Sequence, residues 1–148
     1  MKTKIKKAKI VAVSGGFDPV HIGHIRLFKT ARELGGKLIV ILNNDNWLKK
    51  KKGSVFMPEE ERKEIIEEFR CVHKVILTGH EKNPEDMSVC TELENIKPDI
   101  FANGGDRKKN NVPEVEICKK LGIKMAWNVG DEKIRSSSDL LKNYGGTK

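Results

Sequence analysis

Apolar residues fall in short unbroken runs, and amphipathic stretches separate them. Residues 9–14 (KIVAVS), 37–43 (KLIVILN), 72–78, 99–103 (DIFAN) and 123–129 read as five buried strands. Between the first two, Ile22, Ile25, Leu27, Phe28 and Leu34 recur at near-helical spacing, which predicts a helix over residues 22–34. Gly35 and Gly36 supply its stop. Pro58 opens a second helix that runs to about Phe69 and carries Glu59, Glu60 and Glu61 in its first turn, where the dipole favours negative charge. A weaker helix falls in residues 84–95, another in 113–121 with Gly122 as its stop, and a short last one begins near Ser137. The order βαβαβαβαβα predicts an α/β fold, a Rossmann-like doubly wound five-stranded parallel sheet in a single domain. That domain is placed at residues 9–143, between a basic tail at 1–8 and a short tail at 144–148. Ligands of such sheets bind beyond the carboxyl ends of the strands, at the topological switch point, so the loops after strands one, two, four and five are the ones to inspect.

The chain has 148 residues, 37% hydrophobic and 34% charged, the balance of one globular domain. No apolar run approaches the ~18–20 residues of a membrane span, so no membrane partner is expected. The basic start and short apolar stretch of MKTKIKKAKIVAVSGG imitate a signal peptide, but the stretch runs into a glycine turn without a cleavage pattern. A cytoplasmic location is the expectation. Cys71, Cys90 and Cys118 are odd in number and widely spaced, with no CxxC pair, and read as buried reduced thiols. The net charge of +8 suits either a nucleic acid or a polyphosphate substrate. Aromatic content is only 5% and is not interleaved with the lysines, so no nucleic-acid partner is expected. Much of the excess lies in the tail Lys2–Lys9 and the run Lys49–Lys52.

The loop after strand one concentrates the candidate chemistry: Ser14-Gly15-Gly16-Phe17-Asp18-Pro19-Val20-His21-Ile22-Gly23-His24. Gly15 and Gly16 allow a tight turn and close approach to a ligand. The helix that follows offers free N–H groups and a positive dipole end to an anion. His21 and His24 are three residues apart, so both can project from the first turn toward one point, and Gly23 leaves room between them. The glycine spacing does not fit a GxGxxG fingerprint. Two histidines with only Asp18 nearby make a poor metal cage, and no protein-held metal is expected.

GGFDPVHIGH resembles the HxGH signature of the nucleotidyltransferase superfamily, cytidylyltransferase-like, and is similar to glycerol-3-phosphate cytidylyltransferases and heptose-phosphate nucleotidyltransferase domains. The element order fits that superfamily across nearly the whole chain. The resemblance implies transfer of a nucleoside monophosphate from a nucleoside triphosphate onto a phosphorylated small molecule, with Mg²⁺ accompanying the triphosphate. CMP from CTP onto a sugar or polyol phosphate is the leading expectation, and ATP onto a phosphorylated metabolite is the alternative. It gives His21 and His24 a catalytic role on the triphosphate. Ser14, Gly15, Gly16, Phe17, Asp18 and Gly23 become nucleotide-binding candidates, with Asp18 also a candidate for the acceptor.

Three further segments carry the resemblance. Lysines in a loop like Lys49–Lys52 meet phosphates in glycerol-phosphate relatives, which makes Lys49 a catalytic candidate and Lys52 a substrate ligand. Arg62 follows the acidic start of the second helix, as a substrate-binding Arg does in the family. Asn103-Gly104-Gly105-Asp106 resembles the GGD segment that lies against the nucleotide, and Arg135-Ser136-Ser137-Ser138 resembles the serine-rich stretch that holds the outer phosphates. The chain departs from its relatives in two places. Gly16 stands where they often carry Thr or Ser, and Arg135 abuts the serines without an intervening Gly. Trp47 is a candidate to stack on a ligand. Class I aminoacyl-tRNA synthetases share the literal His21-Ile22-Gly23-His24, but the KMSKS loop and tRNA-binding region they need are missing. A non-catalytic nucleotide-binding module is the alternative of another class. Relatives are commonly homodimers, and no residue pattern here decides that point.

Overall fold

A computed structural model describes residues 8–105 and 113–130. Five parallel strands form one sheet in the order β3-β2-β1-β4-β5: β1 (Lys9–Gly15), β2 (Gly36–Leu42), β3 (Lys74–Leu77), β4 (Ile100–Ala102) and β5 (Lys124–Ala126). The helices are α1 (Ile22–Glu33), α2 (Asp45–Lys52), α3 (Glu59–Glu67), α4 (Cys90–Ile96) and α5 (Glu114–Leu121). The described part is therefore the predicted α/β architecture. Strand β1 lies between β2 and β4, so the chain winds one way from β1 and then returns past it. The resulting switch point opens between the loops after β1 and β4.

Side-chain alternation divides the core into two layers. Val11, Val13, Val40 and Leu42 share one face with Phe28 of α1 and Ile66 of α3. Ala12, Ile41 and Phe101 share the other with Leu93 of α4 and Cys118 of α5. Burying both faces explains the continuous Val/Ile runs. Cys71 and Cys118 are buried and Cys90 is half-buried. Burial raises all three thiols, Cys118 to about 11, so each is protonated and a weak nucleophile at neutral pH.

The lysine run, expected as loop, lies in helix α2. Its Asn44 N-cap accepts from Trp47 N at 3.0 Å, and Gly53 closes it at φ 85°. Four lysines occupy the last turn, where the helix dipole favours cations. Hydrophobic periodicity is nearly silent here because only Leu48 is buried. The weak helix expected from residue 84 begins only at Cys90. Residues 79–89 instead pack as a loop on α2. Asn44 Nδ2 and Asn46 Nδ2 both donate to His80 O at 2.9 Å, and Trp47 Nε1 donates to Met87 O at 2.8 Å.

Replacing Asn44 removes both the helix cap and one tie to the 79–89 loop. Asn44→Ala should lower unfolding free energy by about 1–3 kcal/mol, read from the denaturant midpoint. An unchanged midpoint would mean that this cap contributes nothing.

Candidate active site

The first turn of α1 is capped by its own two histidines. His21 is the N-cap; its Nδ1 accepts from Gly23 N at 3.1 Å, while His24 Nδ1 accepts from His21 N at 3.2 Å. This is a capping box with imidazoles in place of the usual hydroxyl and carboxylate. An Nδ1 that accepts a backbone N–H carries no proton, so in each neutral ring the proton sits on Nε2. The rings stack at 3.7 Å between centroids, 27° apart. No acidic residue occupies the first turn of α1 to offset its positive end.

His24 rests on Phe17, whose ring meets it edge-on at 4.8 Å and meets Phe28 at 5.0 Å. Phe17 adopts φ 48° and is 6% exposed. A Cβ on Gly15 would stand 2.8 Å from that ring, so the glycine makes room for Phe17. Phe17, expected among the nucleotide ligands, thus has its side chain in the core and acts as a platform for His24. The bare Gly16 has a similar explanation. A Cβ there would lie 2.8 Å from Leu48 and 3.3 Å from Trp47, so α2 fills the space a Thr or Ser would take.

Asp18 and Arg62, both expected as substrate ligands, are framework in this structure. Asp18 is 1% exposed, and its two carboxylate oxygens accept from Phe56 N at 2.8 Å and Met57 N at 2.7 Å. Arg62 is 0% exposed. Its Nη1 donates to Gly16 O at 2.7 Å and Asn43 O at 2.8 Å, its Nε to Met57 O at 2.8 Å, and its Nη2 to Asp45 Oδ1 at 2.7 Å. The buried guanidinium gives four of its five N–H donors to protein partners.

At the far side of the switch point, Asn103 is buried and joins the ends of β4 and β5. Its N donates to Ala126 O at 2.8 Å, and its O accepts from Val129 N at 2.9 Å. Gly104 and Gly105 follow; a Cβ on Gly105 would meet nothing nearer than Asn128 Oδ1 at 3.8 Å. Gly130, at φ 94°, brings the β5 loop against α1, where a Cβ would lie 3.2 Å from Leu27 Cα. The loops after β4 and β5 are therefore tied together, and the β5 loop rests on α1. Lys49 and Lys52 lie exposed along α2, and Lys50 Nζ donates to Pro84 O. Ser14 Oγ is buried without a hydrogen-bond partner. Asp106, Arg135, Ser136, Ser137 and Ser138 lie outside the described residues.

A glycine-rich loop feeding a histidine-capped helix start lies at the switch point of a parallel sheet, the place where such sheets bind their ligands. The sequence model of the family described as Cytidylyltransferase-like matches residues 12–143, and the chain belongs to that family. It is 35% identical over 116 residues to an FAD synthase of Pyrococcus abyssi, covering 78% of this chain and 75% of that one. It is 30% identical over 123 residues to the bifunctional protein HldE of Streptomyces coelicolor, covering 82% of this chain but only 25% of that protein. Among solved structures, a lipopolysaccharide core biosynthesis protein from Thermoplasma volcanium superposes with a TM-score of 0.69 at 27% identity, covering 85% of this chain and all of that one.

The framework role of Arg62 separates stability from binding. Arg62→Met should cost about 3–5 kcal/mol of unfolding free energy, because it strands three carbonyls and the Asp45 carboxylate. A raised substrate KM with an unchanged unfolding midpoint would instead return Arg62 to the ligand shell.

Proposed function

We propose that this enzyme is an adenylyltransferase that joins AMP from ATP to flavin mononucleotide, giving FAD and pyrophosphate. The observation that carries the transfer chemistry is the pair of Nδ1-anchored histidines at the start of α1. The choice of partners is supported by the FAD synthase relatives, which align with about three quarters of both chains. An FAD synthase forms a product that contains an adenylyl group, so ATP displaces CTP as the leading donor.

In this reading a non-bridging oxygen of the acceptor phosphate attacks the α-phosphorus. A new P–O–P bond forms, the bond from the α-phosphorus to the α,β-bridging oxygen breaks, and pyrophosphate leaves with that electron pair. The nucleophile is already an anion, so no protein base or protein nucleophile is needed. The enzyme supplies position and charge stabilisation. His21 and His24 donate through Nε2 to phosphoryl oxygens, and the first N–H groups of α1 add to the same field. Gly104, Gly105 and Asp106 border the nucleotide, Lys49 and Lys52 meet phosphate charge, and Arg135 with Ser136–Ser138 holds the outer phosphates. Among the described residues no cluster of three or more His, Cys, Asp or Glu is placed to hold a metal ion. Mg²⁺ would accompany the incoming nucleotide, whose charge it would offset.

Pyrophosphate release, measured for ATP and CTP with FMN and with sugar and polyol phosphates, tests this reading. ATP with FMN should be the preferred pair, with FAD formed in equal amount. CTP with a polyol phosphate as the sole productive pair would overturn it, and nucleotide binding without pyrophosphate release would point to a non-catalytic module. His24→Ala should stay folded and lose turnover by about 10²-fold or more; near-wild-type turnover would remove His24 from the mechanism.

A further inference from the structure

Three buried side-chain oxygens in the described residues have no hydrogen-bond partner: Ser14 Oγ, Asn43 Oδ1 and Glu114 Oε2. Buried polar atoms are paired in the great majority of folds, so each exception calls for a cause. Glu114 stands apart at the start of α5, where its other oxygen accepts from Val89 N at 3.1 Å. Ser14 and Asn43 are neighbours. Asn43 N donates to Gly15 O at 2.9 Å, directly after Ser14, and strand alternation puts both side chains on the sheet face of Ala12 and Ile41.

Their position is the candidate ligand end of the sheet. Asn43 follows the last residue of β2, and the same Arg62 Nη1 that takes Asn43 O also takes Gly16 O in the glycine-rich loop. Asn43 is 1% exposed, and its backbone N–H and C=O are both paired. Only its carboxamide is left to act.

The chemistry of the unpaired atoms narrows the ligand. A carbonyl-type oxygen needs a donor, and phosphate oxygens offer none. A serine hydroxyl both donates and accepts. An alcohol hydroxyl, at once a donor to Asn43 Oδ1 and a partner of either kind to Ser14 Oγ, satisfies both side chains. We propose that Ser14 and Asn43 read a hydroxyl close to the acceptor's phosphate, and so select acceptors whose phosphate is carried on a hydroxylated carbon chain. The inference rests on the proposed function, since FMN carries its phosphate on a ribityl chain. It also gives Ser14, expected from the sequence to meet the nucleotide, a place on the acceptor.

The test compares FMN with a flavin whose ribityl phosphate is replaced by an unsubstituted pentyl phosphate, at saturating ATP with the full-length protein. The wild type should favour FMN in kcat/KM by about tenfold or more, as a site built to hydrogen-bond a hydroxyl rejects its absence. Ser14→Ala and Asn43→Leu should each shrink that ratio severalfold without moving the KM for ATP. Ser14→Ala removes a buried hydroxyl that has no protein partner, so it should fold with its thermal midpoint unchanged or raised. A ratio near one in the wild type, or an unchanged ratio in both variants, overturns the inference. So does an equal loss on both acceptors, the mark of a purely structural role. If FMN is no acceptor at all, the proposed function fails separately. The ratio is then taken on whichever sugar or polyol phosphate turns over against its deoxy counterpart, and a value near one again overturns the inference.

Discussion

One buried guanidinium fastens the carboxyl end of the sheet. Arg62 holds the carbonyls of Gly16, Asn43 and Met57 and the carboxylate of Asp45, and these belong to the β1 loop, the end of β2, the α2–α3 connection and the start of α2. Asp18 answers it from the other side by accepting from Phe56 N and Met57 N. The two charges lie on different segments and each binds mainly to backbone. Together they clamp residues 56–57 against the glycine-rich loop. A lysine has the charge but not the planar fork that reaches three carbonyls at once.

The histidine pair depends on that clamp. With Gly16 held, Phe17 turns at positive φ into the core and becomes the surface on which His24 rests. The capping contacts then orient both imidazoles through Nδ1. In the proposed function this arrangement of backbone ties, a buried ring and a helix start meets the phosphates with its donors already set. Preorganisation of this kind suits a reaction whose nucleophile is already charged, because the remaining barrier lies in alignment and in charge on phosphoryl oxygens.

Much of the fold was legible because buried parallel strands write themselves as Val/Ile runs, and α1 shows a clear apolar stripe. Helix α2 escaped because periodicity reports burial, and four exposed lysines bury nothing. Its signals were of another kind, an Asn cap and a closing glycine, which a lysine run obscures. In the site, His21 and His24 stood out by spacing. Phe17 and Asp18 in the glycine-rich loop, and Arg62 at the start of α3, read the same in sequence whether they face substrate or backbone. Only burial and hydrogen-bond partners separate the two cases. An Asn at a strand end reads as an ordinary cap; here Asn44 is the cap, and Asn43 is the residue whose Oδ1 is buried without a partner.

In the proposed mechanism an acceptor phosphate attacks the α-phosphorus directly, with no covalent link to the protein. The configuration at that phosphorus reports on it directly. With ATP made chiral at the α-phosphorus by a sulfur substituent, the dinucleotide product should show inversion, the mark of a single in-line displacement. Retention would require two displacements through a protein-bound nucleotidyl group, and would contradict the mechanism drawn from the two histidines.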